Sequence, residues 1–274
     1  SGVLASALAM QKDFAKVMPV CLFLDMVKLP REDRHMLIPL VEKFLKGGTV
    51  EARQEAQQAF FGYLLKVVRE RRANPGDDLA SLIVNCKVQG QRIDEQKALA
   101  YMALALNGGL DTIAATLSYV FKFLAENPGH MAQVRDNVHD EVWLGKAIEE
   151  FLRRFGVASN SKLVVHDIEY KGIKFKENES IYQPFALGGL DDKRFQSPLE
   201  VDFNRPNARM HTTFGKGIHF CPGAPLARRE MKVVLQEWFK RIPDFRLKPG
   251  TEMHYSMGMT SALEALPLVW DTKK

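Results

Sequence analysis

Apolar residues recur at helical spacing through most of the first 130 residues of the chain. The pattern predicts helices over 31–45, 50–72 and 94–125, separated by proline and glycine, and a further helix over 144–155. Asp94 is placed to cap the longest of these helices, and the run Asn127-Pro128-Gly129 is placed to end it. The amino-terminal half is therefore predicted to be helical.

The periodicity changes in the second half. Apolar and polar residues alternate over 162–185, which predicts short strands joined by turns. No period is evident over 186–220, so this stretch is predicted to be a long structured loop, and such loops usually serve a functional site. A last helix over 224–242 is followed by short strands. We expect a mainly α fold with a small β region, forming a single domain over 1–274.

Composition and charge exclude several classes of protein. Lys and Arg number 38 against 33 Asp and Glu, a formal net charge of +5, and no basic stripe is interleaved with aromatic residues, so no nucleic-acid partner is expected. Three widely spaced cysteines indicate neither a disulfide framework nor a paired-cysteine zinc site, and they favour a reducing cytoplasm. The apolar run from Val17 is interrupted by Pro19 and Asp25, so neither a membrane anchor nor a signal peptide is expected.

The stretch FGKGIHFCPG, residues 214–223, places Cys221 among three glycines. The glycines let the backbone turn tightly and let a flat group approach it. Cys221 precedes the predicted last helix, where free N–H groups and the helix dipole stabilise an anion and favour a thiolate. From these residues alone, Cys221 is a buried small hydrophobe, a nucleophile that needs a histidine base, or an axial ligand for iron.

Two other motifs are ambiguous by themselves. Glu150 and Arg153 have the spacing of an ordinary surface pair on a helix, which is worth a few tenths of a kcal/mol. In NGGLDT, residues 107–112, two adjacent glycines interrupt the longest predicted helix at a cost of roughly 1 kcal/mol each relative to alanine. They leave room either for a second helix or for a ligand beside Asp111 and Thr112.

Taken in order, these motifs resemble those of the cytochrome P450 family, the haem-thiolate monooxygenases. The family pattern is Phe, two residues, Gly, one residue, Arg or His, one residue, Cys, one residue, Gly. Its places are held here by Phe214, Gly217, His219, Cys221 and Gly223. Within the family the chain is most similar to the bacterial camphor 5-monooxygenase group, in segments such as HTTFGKGIHFC, PLARRE and EEFLRRF. The resemblance extends from about Val17 to the carboxyl end.

The resemblance implies haem b as the cofactor, with Cys221 as the axial ligand of its iron. Glu150, Arg153 and Arg205 would form a buried structural triad that holds the long loop. Lys162 and His219 would serve the haem propionates. Together with these two, the implied haem contacts are Phe214, Gly215, Gly217, Gly223, Ala227, Gly108, Gly109 and Asn160.

The resemblance also implies a reaction and its partners. Asp111 and Thr112 would deliver protons during oxygen activation, which favours a monooxygenase over a peroxide-driven relative. A 2Fe–2S ferredoxin reduced by a flavoprotein would supply electrons, and Lys216, Arg228 and Arg229 would meet its acidic surface. A small terpenoid or aromatic hydrocarbon is the expected substrate, and O2 is the co-substrate. The implied substrate contacts are Leu104, Asn107, Val157, Ala158, Met259 and Thr260.

Two further expectations concern a partner for Asp111 and the extent of the chain. Lys46 is a candidate partner for Asp111. The amino-terminal portion of the family fold has no counterpart in this sequence, so we expect the chain to be part of a longer protein. The rival hypothesis is a truncated haem-binding or haem-free fragment that acts as a structural or interaction module without turnover.

Overall fold

The computed structural model describes residues 5–46 and 48–271, and it describes side chains for these except at 5–9, 11–13 and 45–46. The chain forms two compact units. One runs from Lys12 to Ala114, and the other combines the residues up to Gln11 with those from Ala115 onward. The expectation that residues 1–274 form a single domain remains a prediction.

Helices make up most of the regular structure, as the pattern predicts. They are α1 (Val17–Met26), α2 (Arg34–Lys46), α3 (Val50–Ala73), α4 (Leu79–Val84), α5 (Glu95–Glu126), α6 (Pro128–Asn137), α7 (Glu141–Arg154), α8 (Phe185–Gly189) and α9 (Ala224–Arg241). A π-helical turn spans Met10–Ala15, and 3₁₀ turns span Arg31–Asp33, Ala208–Met210 and Gly217–His219.

The strands are short and pair in small antiparallel groups. They are β1 (Ala5–Ala9), β2 (Lys87–Val88), β3 (Gln91–Arg92), β4 (Ser159–Leu163), β5 (Ile168–Tyr170), β6 (Ile173–Phe175), β7 (Ser180–Pro184), β8 (Arg246–Leu247), β9 (Tyr255–Ser256), β10 (Ala262–Leu263) and β11 (Pro267–Asp271). β11 lies between β1 and β8, while β2 pairs with β3, β4 with β7, β5 with β6, and β9 with β10. The small β content confirms the expected class.

The unit from Lys12 to Ala114 buries one apolar cluster between α1, α2, α3, α4 and the start of α5. On α3 the buried residues Phe60, Leu64 and Val67 are spaced three and four apart, so they share one helical face. Thr49 begins α3 by accepting a hydrogen bond from the Ala52 amide at 3.1 Å. The amphipathic pattern therefore determines which face of α3 is buried, and the Thr49 cap determines where the helix begins.

The other unit has an aromatic core around α7, α9 and the end of α5. The Phe121 ring lies 4.6 Å from that of Trp238 and 5.5 Å from that of Phe245. Phe151 on α7 contacts Phe203, with 5.2 Å between ring centroids. These edge-to-face and tilted contacts hold the helices on which the long loop rests.

Among the described residues, α5 is the one helix long and apolar enough to span a membrane by length and composition. Nearly half of its most apolar stretch is buried inside the protein. The core helix of a soluble protein meets the same criterion, so this is weak support for a membrane span.

Most element boundaries agree with the sequence patterns, and the exceptions have local causes. Asp94 caps α5 through a hydrogen bond to its Oδ1 from the Lys97 amide at 2.7 Å, as predicted. Pro128, which the sequence suggested as a terminator, is the first residue of α6, where its missing N–H costs nothing. α4 and α8 are too short to show a period. β1 escapes detection because its partner β11 lies at the opposite end of the chain.

Asp78 is the polar group on which the α3–α4 connection depends. Its carboxylate caps α4 by accepting the Ser81 amide at 2.8 Å, and it accepts a hydrogen bond from Arg71 Nε at 2.9 Å. Both side chains of this ion pair are largely buried. Removing the carboxylate would leave the Arg71 charge without its partner.

We predict that Asp78→Ala lowers the free energy of unfolding by about 3 kcal/mol, because the helix cap and the buried pair are lost together. Urea denaturation measures this change. Asp77→Ala is the matched control, since that side chain is fully exposed and lies 3.9 Å from Lys28 Nζ. Equal effects of the two substitutions would contradict the assignment.

Candidate functional site

Arg153 on α7 is fully buried, and all five of its N–H donors have acceptors. Two hydrogen bonds of 2.7 and 2.8 Å go to the Glu150 carboxylate. The other three, each 2.7 Å, go to the main-chain carbonyls of Gly189, Pro198 and Glu200. One side chain thereby fixes the start of the long loop against α7.

Glu150 is fully buried and joins Arg153 to a second arginine. Its Oε1 and Oε2 accept hydrogen bonds from Arg205 Nε at 3.0 and 3.1 Å, and Oε1 also accepts the Asp202 amide at 2.9 Å. Arg205 Nη1 donates onward to the Gln196 carbonyl at 2.5 Å. The structure therefore brings together the three residues for which the sequence suggested a structural triad.

Close main-chain approaches hold the next part of the loop. A Cβ at Gly189 would lie 2.1 Å from the Arg153 carbonyl oxygen, and one at Gly188 would lie 2.0 Å from Thr212 Oγ1. Thr213 Oγ1 donates to a main-chain carbonyl of α7 at 2.6 Å. Only glycine fits at 189, where the obstacle is backbone, whereas a side chain at 188 would have to displace that of Thr212. Thr212 and Thr213 lead directly into the cysteine loop, residues 214–223.

Left-handed glycines and short hydrogen bonds shape the cysteine loop. Gly215 and Gly217 have φ of +71° and +70°, a region that favours glycine. The Cys221 amide donates to the Phe214 carbonyl at 2.9 Å, which closes the loop on itself. The loop is therefore a defined turn that presents Cys221 at its end.

Cys221 lies just before α9, as predicted. Gly223 is the N-cap, and its carbonyl accepts the Ala227 amide at 2.9 Å, while Pro225 occupies the first turn. The Cys221 Sγ is the nearest atom to a Cβ built at Gly223, at 3.7 Å. The thiol thus stands at a helix amino terminus, where the helix dipole stabilises negative charge.

The surface around Cys221 fits a flat apolar group such as haem. Ile218 is 97% exposed and Phe220 is 49% exposed, so the loop presents two large apolar side chains on its surface. A Cβ at Gly217 would meet no atom within 4 Å, and His219 is exposed beside it. Among the described residues no group of three or more His, Cys, Asp or Glu could hold a metal ion, whereas haem iron needs only the one cysteine ligand.

A second buried carboxylate, which sequence reasoning missed, lies beside the triad. Glu149 accepts hydrogen bonds from Arg228 Nε and Nη2 at 2.5 and 3.1 Å and contacts His211 Nε2 at 3.2 Å. Burial alone would raise its pKa, but the hydrogen bonds from His211 and Arg228 and the charge of Arg228 outweigh that effect and lower the pKa to about 2. The only sequence signal was a pair of consecutive glutamates on an otherwise amphipathic helix.

This arrangement corrects the expectation for Arg228, which was grouped with Lys216 and Arg229 as a surface for an acidic ferredoxin. Its guanidinium is committed to Glu149 and lies 4.7 Å from the centroid of the Phe214 ring. Lys216 and Arg229 remain exposed. The physical reason is that a bidentate carboxylate partner and an aromatic face draw the arginine inward.

Four of the expected substrate contacts meet in the unit that carries Cys221. Ala158 forms an antiparallel bridge with Thr260. The Ser159 amide donates to the Met259 carbonyl at 2.8 Å, next to the buried residue Val157. Met259 is 80% exposed, so its apolar side chain is available to a ligand.

The expected propionate contacts lie on two elements of this unit. Asn160 and Lys162 are on β4, opposite Gln183 and Ile181 of β7. Both β4 side chains are half-buried. His219 is in the 3₁₀ turn of the cysteine loop.

The remaining expected residues lie on α5 in the other unit. A Cβ at Gly108 or Gly109 would meet nothing within 4 Å, so among the described atoms no second helix accounts for these glycines. Thr112 Oγ1 donates to the Gly108 carbonyl at 2.7 Å, and Asp111 is half-buried beside it. A hydroxyl that bonds its own helix in this way loosens the local backbone.

The last of the residues predicted to serve the site are two on α5 and one on α2. Leu104 is 64% exposed, whereas Asn107 Oδ1 is buried and has no hydrogen-bond partner among the described atoms. An unpaired buried amide oxygen is costly and points to a missing donor. The Lys46 side chain lies outside the described part of the chain, so its link to Asp111 stays a prediction.

Comparison with known proteins decides the family. The cytochrome P450 family model matches residues 21–265. The chain belongs to the cytochrome P450 family. Members of this family use haem b as their cofactor, which the surface around Cys221 fits.

Individual cytochrome P450s resemble the chain over nearly its whole length. Probable cytochrome P450 127A1 of Sinorhizobium fredii is 32% identical over 94% of this chain and 61% of its own length. The crystal structure of CYP101J2 is 35% identical with a TM-score of 0.86, covering 97% of this chain and 65% of that one. PksS of Bacillus subtilis is 27% identical with a TM-score of 0.88, covering 97% and 69%.

These comparisons confirm the cytochrome P450 fold. The chain spans about three fifths of the length of the curated relatives it matches. The activity, substrates and partners of the whole protein are accordingly proposals.

We predict that Gly189→Ala lowers the free energy of unfolding by about 3 kcal/mol, because the added methyl group would overlap the Arg153 carbonyl oxygen. Thermal or urea unfolding measures the loss. Gly145→Ala on α7 is the matched control, since nothing lies within 4 Å of its Cβ position. The control should be stabilised by about 0.5–1 kcal/mol, as expected for glycine in a helix. Equal stabilities would contradict the close approach.

Glu230 on α9 gives a pH-dependent prediction. Its Oε2 is buried without a partner among the described atoms, and burial raises its pKa from 4.5 to about 7. The unfolded chain ionises this group at the lower pH, so stability falls as pH rises from 4.5 to about 7. Glu230→Gln cannot ionise, so it should be more stable than the wild type by up to about 3 kcal/mol at pH 8.

Urea denaturation at pH 4 and pH 8 tests this prediction, and the gain should vanish at pH 4. Glu237→Gln on the same helix is the control, because an ion pair with Arg241 lowers the pKa of that carboxyl instead. A gain from Glu230→Gln that is the same at both pH values would rule out ionisation as its cause.

Proposed function

We propose that this chain is part of a haem-thiolate monooxygenase that hydroxylates an unactivated C–H bond of a small hydrophobic substrate with O2. One observation carries the proposal. A loop with two left-handed glycines presents Cys221 at a helix amino terminus beside exposed apolar side chains. Family membership supports haem b as the group that would cover this surface.

The residues of the cysteine loop would hold the haem. Cys221 would bind the haem iron, Gly217 would leave space for the ring, and His219 and Lys162 would bind the propionates. When bound, the haem supplies oxygen binding and electron storage, and a thiolate ligand favours cleavage of the O–O bond. The triad of Glu150, Arg153 and Arg205 would act only by holding the loop in place.

Asp111 and Thr112 would handle protons. Thr112 Oγ1 donates its hydrogen to the Gly108 carbonyl at 2.7 Å, and a hydroxyl oxygen can accept a hydrogen bond as well as donate one. In the proposal, the Asp111 carboxyl takes protons from solvent and passes them to Thr112 Oγ1. The space beside Gly108 and Gly109 would admit O2 and water to this pair.

A small terpenoid or aromatic hydrocarbon is the proposed substrate class. Exposed apolar side chains at Leu104 and Met259 would contact its hydrocarbon surface. Asn107 Oδ1, which lacks a donor, would accept a hydrogen bond from a hydroxyl on the substrate or from water. Identities of 35% and 34% with CYP101J2 and CYP101C1 support the camphor-type group, although one relative was crystallised with testosterone.

A 2Fe–2S ferredoxin with a flavoprotein reductase is the proposed electron source, in a bacterial cytoplasm. Lys216 and Arg229 are exposed near the cysteine loop and would meet its acidic groups. A fragment without turnover is not favoured, because the cysteine loop and its buried supports are complete.

The proposal predicts a thiolate-ligated haem in the purified protein. After reduction and addition of carbon monoxide, the Soret band should show the far-red shift that a thiolate ligand causes. Cys221→Ala should abolish that band, whereas Cys86→Ala, a control in the other unit, should retain it. A colourless wild type, or an unshifted band, would contradict the proposed function.

A further inference from the structure

The two consecutive glutamates of α7 bind different parts of the protein. Glu150 anchors the loop segment that contains Asp202 and Arg205. Glu149, although its neighbour, binds Arg228 of α9 and His211 at the entrance to the cysteine loop. The structural triad does not account for this second buried carboxylate.

We propose that Glu149 and Arg228 are positioning residues for Cys221, which they hold through the ring of Phe214. This inference rests on the proposed function only for the identity of the iron ligand. The mechanical link itself follows from contacts within one unit.

The first contact between Glu149 and the cysteine loop is a bidentate ion pair with Arg228. Arg228 donates from Nε and Nη2 to the two oxygens of Glu149 at 2.5 and 3.1 Å. A third donor, Nη1, reaches the Ala224 carbonyl at 3.3 Å. Because three bonds fix the guanidinium plane, the position of Arg228 is set by α7 and by the first turn of α9.

Phe214 contacts both Arg228 and Cys221. The Arg228 guanidinium lies 4.7 Å from the centroid of its ring, in the geometry of a cation–π contact. The Phe214 carbonyl accepts the hydrogen bond from the Cys221 amide at 2.9 Å. Because the ring and this carbonyl belong to one residue, a displacement of Phe214 that moves its main chain would move the acceptor that closes the loop around Cys221.

His211 supports the same arrangement from the chain entering the loop. Its Nδ1 accepts the Thr213 amide at 3.2 Å, so Nε2 carries the hydrogen that points at Glu149. The His211 ring also lies 5.8 Å from the Phe214 ring. Glu149 thus connects to Phe214 by two routes, one through each partner.

A cavity beside the cysteine loop leaves Phe214 without packing on one side, so its position depends on Arg228 and His211. An open cavity of about 310 Å³ lies there, lined by Glu149, Arg209, His211, Phe214, Lys216, Phe220 and Arg228. Four of these residues are basic or can become so, and Glu149 is the only acid. With Glu149 neutral, the positive charges would repel one another, and Phe214 would have room to move.

Amide hydrogen exchange of the Cys221 N–H tests the proposal directly, because that N–H is the closing bond of the loop. We expect Glu149→Gln and Arg228→Met each to speed its exchange by about tenfold or more. The double variant should exchange no faster than either single variant, since both changes break one link. Glu126→Gln, an exposed glutamate paired with Lys122 in the same unit, is the matched control and should change nothing.

A spectroscopic readout separates positioning from general stability. In haem-loaded protein with carbon monoxide, the thiolate-type share of the Soret band should fall in Glu149→Gln and stay complete in Glu126→Gln. Arg228→Lys keeps the charge but loses the fork, so its Cys221 exchange should fall between the wild type and Arg228→Met. This variant keeps the test valid if Glu149→Gln fails to fold.

Unchanged Cys221 exchange in a folded Glu149→Gln protein would overturn the proposal, as would additive effects in the double variant. Failure of the proposed function is distinguishable. In that case the wild type itself would lack the thiolate-type band, while the exchange results would still decide whether Glu149 holds the loop.

Discussion

The ion pair between Glu150 and Arg153 is the interaction on which the rest of the candidate site depends. Two charges without exposure to water are unfavourable unless every hydrogen-bonding group is used, and here every donor of the arginine has an acceptor. The acceptors come from a segment with little regular structure. An isolated pair on a helix would contribute little, but this one supplies the hydrogen bonds that the segment cannot make with itself.

The order of supports along the chain follows from that pair. The arginine binds the carbonyls at 189, 198 and 200, and Gly189 allows the close approach to α7. Gly188 packs against Thr212, and the threonines at 212 and 213 lead into the cysteine loop. Each step uses main-chain or short side-chain groups, which leave little freedom. A segment that lacks strands is thereby held by hydrogen bonds to α7 and to its own main chain, and Cys221 lies beyond its end.

Local patterns predicted much of this structure. The bounds of α2, α3, α5, α7 and α9, the strand region and the cap at Asp94 follow from periodicity and turn residues, whereas α1, α4, α6 and α8 were not predicted. Three motifs pointed to the family and to the triad. The inward position of Arg228, its bond to Glu149 and the pairing of β1 with β11 were not predicted. These contacts join residues far apart in sequence, and an arginine bound to a buried carboxylate has the same local sequence signal as one in solvent.

Arg153 reaches the loop through the main-chain oxygens of Gly189, Pro198 and Glu200. Its guanidinium carbon also lies 5.3 Å from the centroid of the Phe195 ring. A carbonyl oxygen is the same for every amino acid, so the hydrogen bonds to positions 198 and 200 place no demand on the side chains there, whereas position 189 takes only glycine. Changes of side chain at 198 and 200 would leave these hydrogen bonds intact, but inserting or deleting one residue between 189 and 200 would move the oxygens out of reach. At these two positions the spacing of the carbonyls therefore matters more to the anchor than the identity of the side chain.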